Sequence, residues 1–169
     1  MSERFTNPPI KRHPTLQPLS REHFNGLVLV RRLREAAEGD EAARRATREM
    51  LASAWRDELA AHFADEERLL APFVSDCDRA RLIEDHRSLQ RHIEMAATSR
   101  QAPSAAWLRD TAEMLEKHIR WEERELFPAA EKHGAAGLDA LAPEAARIEQ
   151  ERPGARRRQD EPGPGRTEA

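Results

Sequence analysis

Tyrosine is absent from this sequence of 169 residues, cysteine occurs once, and aromatic residues fill only 5% of positions. The lone thiol, Cys77, excludes an internal disulfide framework and suits a reducing compartment. No apolar run approaches the roughly 18 residues that suggest a spanning helix. The N-terminus, with Pro8, Pro9, Lys11 and Arg12, lacks the apolar stretch of a secretory signal. A cytoplasmic protein with no membrane partner is expected. Lysine occurs only at Lys11, Lys117 and Lys132, and a formal net charge of −3 gives no basic field for nucleic acid. Arg156, Arg157 and Arg158 stand in ERPGARRRQDEPGPGRTEA, whose proline, glycine and charge read as a solvated tail. There is no phosphate-binding glycine loop, CxxC pair or nucleophile triad, so hydrolase, nucleotide and thiol-redox chemistries have no foothold.

What remains is charge on a helical background. Charged residues make up 35% of the chain, and Ala, Leu, Glu and Arg dominate. The length allows one domain with tails. Prolines at 8, 9, 14 and 18 predict an extended arm over residues 1–18. Four helices are predicted after it. The first starts near Pro18 to Ser20, with stripe Leu19, His23, Gly26, Leu27, Val30, Leu33 and Ala37, and stops at Gly39-Asp40. The second runs from Glu41 to Ala71 and ends at Pro72. The third covers Arg79 to Ser99, capped by Asp76 or Asp78, and the fourth Ala105 to His133. Their 3–4 spacing and short connections predict an all-α, antiparallel up-down-up-down four-helix bundle over residues 19–133. A short helical segment is expected at 134–150, after Gly134, and a disordered tail at 151–169.

The stripes carry residues that a core should not contain. His23, His62, His86 and His118 each fall on the apolar stripe of a different helix, and Glu66 and Glu122 follow two of them by four residues. At that spacing both side chains of each His-x-x-x-Glu pair leave one helix face, roughly 6 Å apart. With antiparallel packing and about 1.5 Å of rise per residue, all six come to similar depth in one core. A lone histidine on a stripe is commonly a satisfied structural residue, and an isolated His-x-x-x-Glu an ordinary ion pair. Four histidines and two carboxylates at one level make a metal site the better account. Imidazole and carboxylate suit iron, manganese or zinc, and a cation relieves the cost of burying two like charges. Without it, at least one of the two glutamates is expected to take up a proton. His13 is expected to be solvent-exposed, although the arm could fold it back over the site. Cys77 reads as an ordinary turn residue, His92 and His133 as surface, and Trp55, Trp107 and Trp121 as packing.

The phrases LSREHFNGL, HFADEERLL, DHRSL and HIRWEERELFP, within residues 19 to about 130, resemble the hemerythrin-like, or HHE cation-binding, domains. By that resemblance His23, His62, Glu66, His86, His118 and Glu122 correspond to di-iron ligands, the two glutamates bridging. It implies two iron ions joined by an oxo or hydroxo group, with zinc or manganese as less suitable occupants. Oxygen carriers of the family have a second histidine four residues after the first on the third helix, where this chain has Gln90. Each iron would then keep an open position, as in bacterial relatives associated with iron–sulfur cluster repair and nitrosative stress. The implied function is a metal-binding protein that binds or reduces dioxygen, nitric oxide or peroxide. A metal- or redox-responsive sensor without turnover is the alternative. A monomer or weak dimer is expected.

Overall fold

Three helix starts are fixed by short polar side chains. Asp40 Oδ1 accepts the Ala43 N–H at 2.9 Å, Ser75 Oγ that of Asp78 at 3.1 Å, and Ser104 Oγ that of Trp107 at 3.1 Å. The computed structural model describes residues 11–99 and 101–152, among which every regular element is helical. The α-helices are α1 (Gln17–Ala37), α2 (Glu41–Ala54), α3 (Ala60–Leu70), α4 (Asp76–Thr98), α5 (Ala105–Trp121), α6 (Phe127–Asp139) and α7 (Ala142–Glu151). No helix among them is long and apolar enough to cross a membrane.

Two single-turn π segments, Trp55–Leu59 and Glu122–Leu126, join α2 to α3 and α5 to α6. Ala60 and Phe127 donate to carbonyls five residues back, Trp55 and Glu122. The wider turn lets the chain absorb Pro128, which has no N–H and would crowd the carbonyl of Arg124 in a regular helix. The predicted second and fourth helices are therefore each interrupted.

Other boundaries differ too. Helix α1 begins at Gln17, preceded by a 3-10 turn over Pro14–Leu16 where an extended arm was expected. Helix α4 begins at Asp76, because Ser75 rather than an aspartate is its cap. Gly134 kinks the chain (φ −132°, ψ 15°) without ending α6. A Cβ at Gly134 or Gly137 would overlap the Phe73 ring, so these glycines serve close packing. Leu27, read into the α1 stripe, is 40% exposed and Leu29 is buried instead. Helix α7 extends to Glu151. Residues 1–10 of the expected arm, and 153–169 of the expected disordered tail, lie outside the described residues.

Helix α1 packs on α5, α2 and α3, and α4 packs on α2, α3 and α5. Gly26 permits a close approach of α1 to α5, since a Cβ there would stand 2.6 Å from Ile119 Cδ1. The core has two apolar clusters. One holds Leu29, Leu33, Leu59, Phe63, Leu89 and Leu115; the other holds Leu19, Leu69, Leu82, Leu126, Phe127 and Leu138. Along α1 and α4 the chain passes from the second cluster to the first, and along α3 and α5 from the first to the second. Along their helices the buried His23, Glu66 and His86 lie between the two clusters.

Candidate metal centre

His23 comes from α1, His62 and Glu66 from α3, His86 from α4, His118 from α5 and Glu122 from the π segment that follows. None is more than 5% exposed. Glu66 Oε1 lies 3.2 Å from Nε2 of both His23 and His62, and Oε2 lies 3.4 Å from His86 Nε2. Glu122 divides in the same way. Its Oε2 is 3.2 Å from His23 Nε2, while Oε1 is 3.2 Å from His118 Nε2 and 3.7 Å from His86 Nε2. Each carboxylate therefore spans a His23–His62 half and a His86–His118 half.

The residues fit a cation. Glu66 Oε2, both Glu122 oxygens and Nε2 of His86 and His118 are buried without a hydrogen bond, although they face opposite partners. The distances are right and the directions are wrong for shared protons. Two ligands about 2.1 Å from one ion and near a right angle stand about 3 Å apart, which is this spacing. Two overlapping groups could each hold a metal: Glu66, His86, His118 and Glu122; and His23, His62 and Glu66.

A ring of carboxylates turns the imidazoles inward. Glu22 Oε2 lies 2.8 Å from His62 Nδ1, Glu67 Oε1 2.8 Å from His86 Nδ1, and Glu123 Oε1 2.6 Å from His23 Nδ1. Asp85 Oδ2 stands 3.6 Å from His118 Nδ1, too far for a direct hydrogen bond. An Nδ1–H held this way leaves Nε2 free to face the centre and makes it a better ligand. Each of the four acids is the chain neighbour of a site residue on one element and faces a histidine on another. Sequence reasoning missed them. The pairs Glu22-His23, Glu66-Glu67, Asp85-His86 and Glu122-Glu123 were the available signal.

Charge follows from the geometry. Burial opposes a charged imidazole, but the carboxylates around His23 raise its pKa well above the usual value. Against the same burial, Glu66 and Glu22 push His62 up to about 9, and Glu122, Glu66 and Glu67 push His86 up to about 11. His118 is also raised, by Glu122 and Asp85 against burial. Burial would raise Glu66, yet His62, His23 and His86 hold it well below the usual carboxylate range. Glu122 is lowered as well, since His118 and His23 outweigh burial and the charge of Glu66. The carboxyl shifts run opposite to the expected uptake of a proton by a glutamate: both glutamates are lowered and all four imidazoles are raised. A site that attracts protons so strongly attracts cations for the same reason.

The remaining candidates lie elsewhere. His13 Nε2 pairs with Asp139 Oδ1 at 3.2 Å, and its Nδ1 accepts the Thr15 N–H at 3.3 Å, so it caps the arm, half-buried, and stays off the site. Gln90 donates to Glu94 Oε1 at 2.8 Å on the exposed side of α4. Cys77 is exposed in the first turn of α4. His92 stacks on Trp107, and His133 is exposed. Trp55 meets Phe63 edge to face, and buried Trp121 packs under the Arg81 guanidinium. Phe63 stacks on His86 at 3.9 Å between ring centres and covers one flank of the cluster.

Comparison with curated proteins and with solved structures gave no match. The family model of the hemerythrin HHE cation-binding domain matches residues 15–130. That span holds all six buried ligand-type residues and covers more than half of the chain, so the chain belongs to the hemerythrin HHE cation-binding domain family.

Proposed function

We propose that the protein holds two iron ions on His23, His62, Glu66, His86, His118 and Glu122, and uses them to bind or reduce dioxygen, nitric oxide or peroxide. The observation that carries this is the division of the two carboxylates. Each offers one oxygen to either half, which is how two bridging ligands would join a pair of cations. The alternating passage of the helices between the two apolar clusters supports an up-down-up-down bundle around that pair. Bound there, two irons would supply redox equivalents and coordination positions beyond the four protein ligand atoms available to each.

The chain supplies orientation and access. Glu22, Glu67 and Glu123 fix the rings, and Phe63 keeps water from His86. A cavity of about 100 Å³ reaches the centre, with His23, His62 and His118 at its inner wall and Leu29, Leu59 and Ile119 beyond. Such a volume admits a molecule of a few atoms, and its apolar wall favours a small neutral one. Gln90 supplies no ligand where the carriers of the family have histidine, which favours reaction over reversible oxygen carriage.

The test is the optical spectrum of reduced, iron-loaded protein exposed separately to air, nitric oxide and hydrogen peroxide. Nitric oxide should give new visible bands, and air should oxidise the iron without a reversible oxygenated form. An unchanged spectrum with all three would overturn the proposal.

A further inference from the structure

Two arginines from the flanks of the chain reach the same half of the centre. Arg12, only 6% exposed, lies in the N-terminal arm, and Arg152 closes α7 at the other end. Both lie outside the segment matched by the family model. Arg12 Nη2 is 2.8 Å from Glu123 Oε2 and also donates to the Glu123 carbonyl, and the guanidinium lies 5.3 Å from the centre of the Phe127 ring. That ring stacks on His23. Arg152 Nε is 2.6 Å from Glu22 Oε1, and its Nη2 is 2.7 Å from Asp65 Oδ2. Glu123 and Glu22 are the acids that hold Nδ1 of His23 and His62. The acid serving His86 has no such clamp among the described residues, since Glu67 is paired with that histidine alone. Among the described residues Asp85, facing His118, has only the Arg81 guanidinium at 3.6 Å, a contact within α4.

From this asymmetry we infer that Arg12 and Arg152 are positioning residues that latch the His23–His62 half of the centre, so the two chain flanks set the affinity of one cation and not the other. A carboxylate free to swing must be ordered each time it orients its histidine. One clamped by a charged, forked guanidinium is ordered already. The latch acts through Glu22 and Glu123, which makes the two cation sites unequal although their ligand sets are nearly equivalent. The inference rests on the two-cation proposal above.

The test is anaerobic titration of the full chain with Co(II), read by visible absorption and by competition with a chelator. Wild type, Arg152→Ala, Arg152→Lys, Arg12→Ala and Arg147→Ala are compared. Arg147 is the control: it bonds Asp65, Glu144 and Glu151 around the same helix but not Glu22. Wild type should bind two Co(II). Arg152→Ala and Arg12→Ala should each weaken one of the two about tenfold, at the lower edge of losses for residues behind metal ligands, with the other within twofold. Arg152→Lys should restore part of the loss, and Arg147→Ala should leave both sites within twofold. Equal weakening of both sites, or the same loss in Arg147→Ala, would overturn the latch while leaving the two-cation proposal standing. So would wild-type affinities in both alanine variants. A wild type that binds fewer than two Co(II) would overturn both.

Discussion

Glu67 Oε1 lies 2.8 Å from Nδ1 of His86, linking α3 to the imidazole of α4 from outside the centre. Glu67 itself offers nothing to the cluster, because the Nε2 edge of His86 points the other way, toward Glu66 and Glu122. Its effect on a bound metal is therefore carried by ring orientation and basicity. Glu67→Ala should lower metal affinity by roughly 10- to 100-fold, and should also lower the melting temperature of chelated protein, because Glu67 helps hold the charge on His86. Glu67→Gln, which can still accept from Nδ1–H, should lose much less. Chelator competition on both variants checks this.

Glu66 is different, because its two oxygens serve both halves. Glu66→Ala should abolish binding of the metal pair, whereas His86→Ala should chiefly weaken one site. Removing Glu66 also leaves His23 and His86 facing only Glu122 within the centre, and leaves His62 facing no carboxylate there. The chelated variant should lose about 3 to 5 kcal/mol at pH 6, as broken buried pairs do. Had the glutamates repelled each other in the absence of metal, the substitution would stabilise. Urea unfolding at pH 6 with chelator present separates the two.

The pH dependence of chelated protein follows from the same pairs. His62 and His86 have folded pKa values raised to about 9 and about 11. Their contribution is complete below the unfolded value near 6.5 and is lost as pH rises through those folded values. Glu66 and Glu122 are lowered, so theirs is complete above about 4.5 and is lost as pH falls through their folded values. Chelated protein should be most stable between about pH 4.5 and 6.5 and should weaken steadily toward pH 10. Metal needs neutral imidazole, so its stabilising effect should grow over that same rise. Melting temperatures of loaded and chelated protein from pH 5 to 10 should diverge as pH increases.

Leu89 tests the apolar frame by itself. It is 2% exposed, one turn along α4 from His86, inside the first apolar cluster. Leu89→Ala should cost about 2 to 5 kcal/mol with metal and without it, leaving the metal stoichiometry unchanged. Urea unfolding in both states checks the equality.

The six central residues were legible because each sits on its own helix's apolar stripe, where a polar side chain stands out. The outer acids were not. A residue next to a ligand points about 100° round the helix from it, so Glu22, Glu67, Asp85 and Glu123 look like solvated surface on their own helix. Only the neighbouring helix turns them into partners for His62, His86, His118 and His23. The π segments escaped for a related reason. Trp55–Leu59 carries no proline or glycine, and its extra residue per turn reflects tertiary packing rather than local propensity. Gly134 looked like a helix stop, and its purpose is instead to admit the ring of Phe73. Arg12 and Arg152 were hidden in segments read as an arm and a tail, since neither segment shows a periodic stripe.

The central claim is that six buried side chains hold two irons, and the most direct measurement is an anaerobic ferrous iron titration of chelated wild type beside Glu66→Ala. Wild type should saturate at about two irons per chain, with a raised melting temperature at neutral pH, and Glu66→Ala should retain none tightly. Saturation at one iron or fewer, or a wild-type melting temperature indifferent to iron, would contradict it.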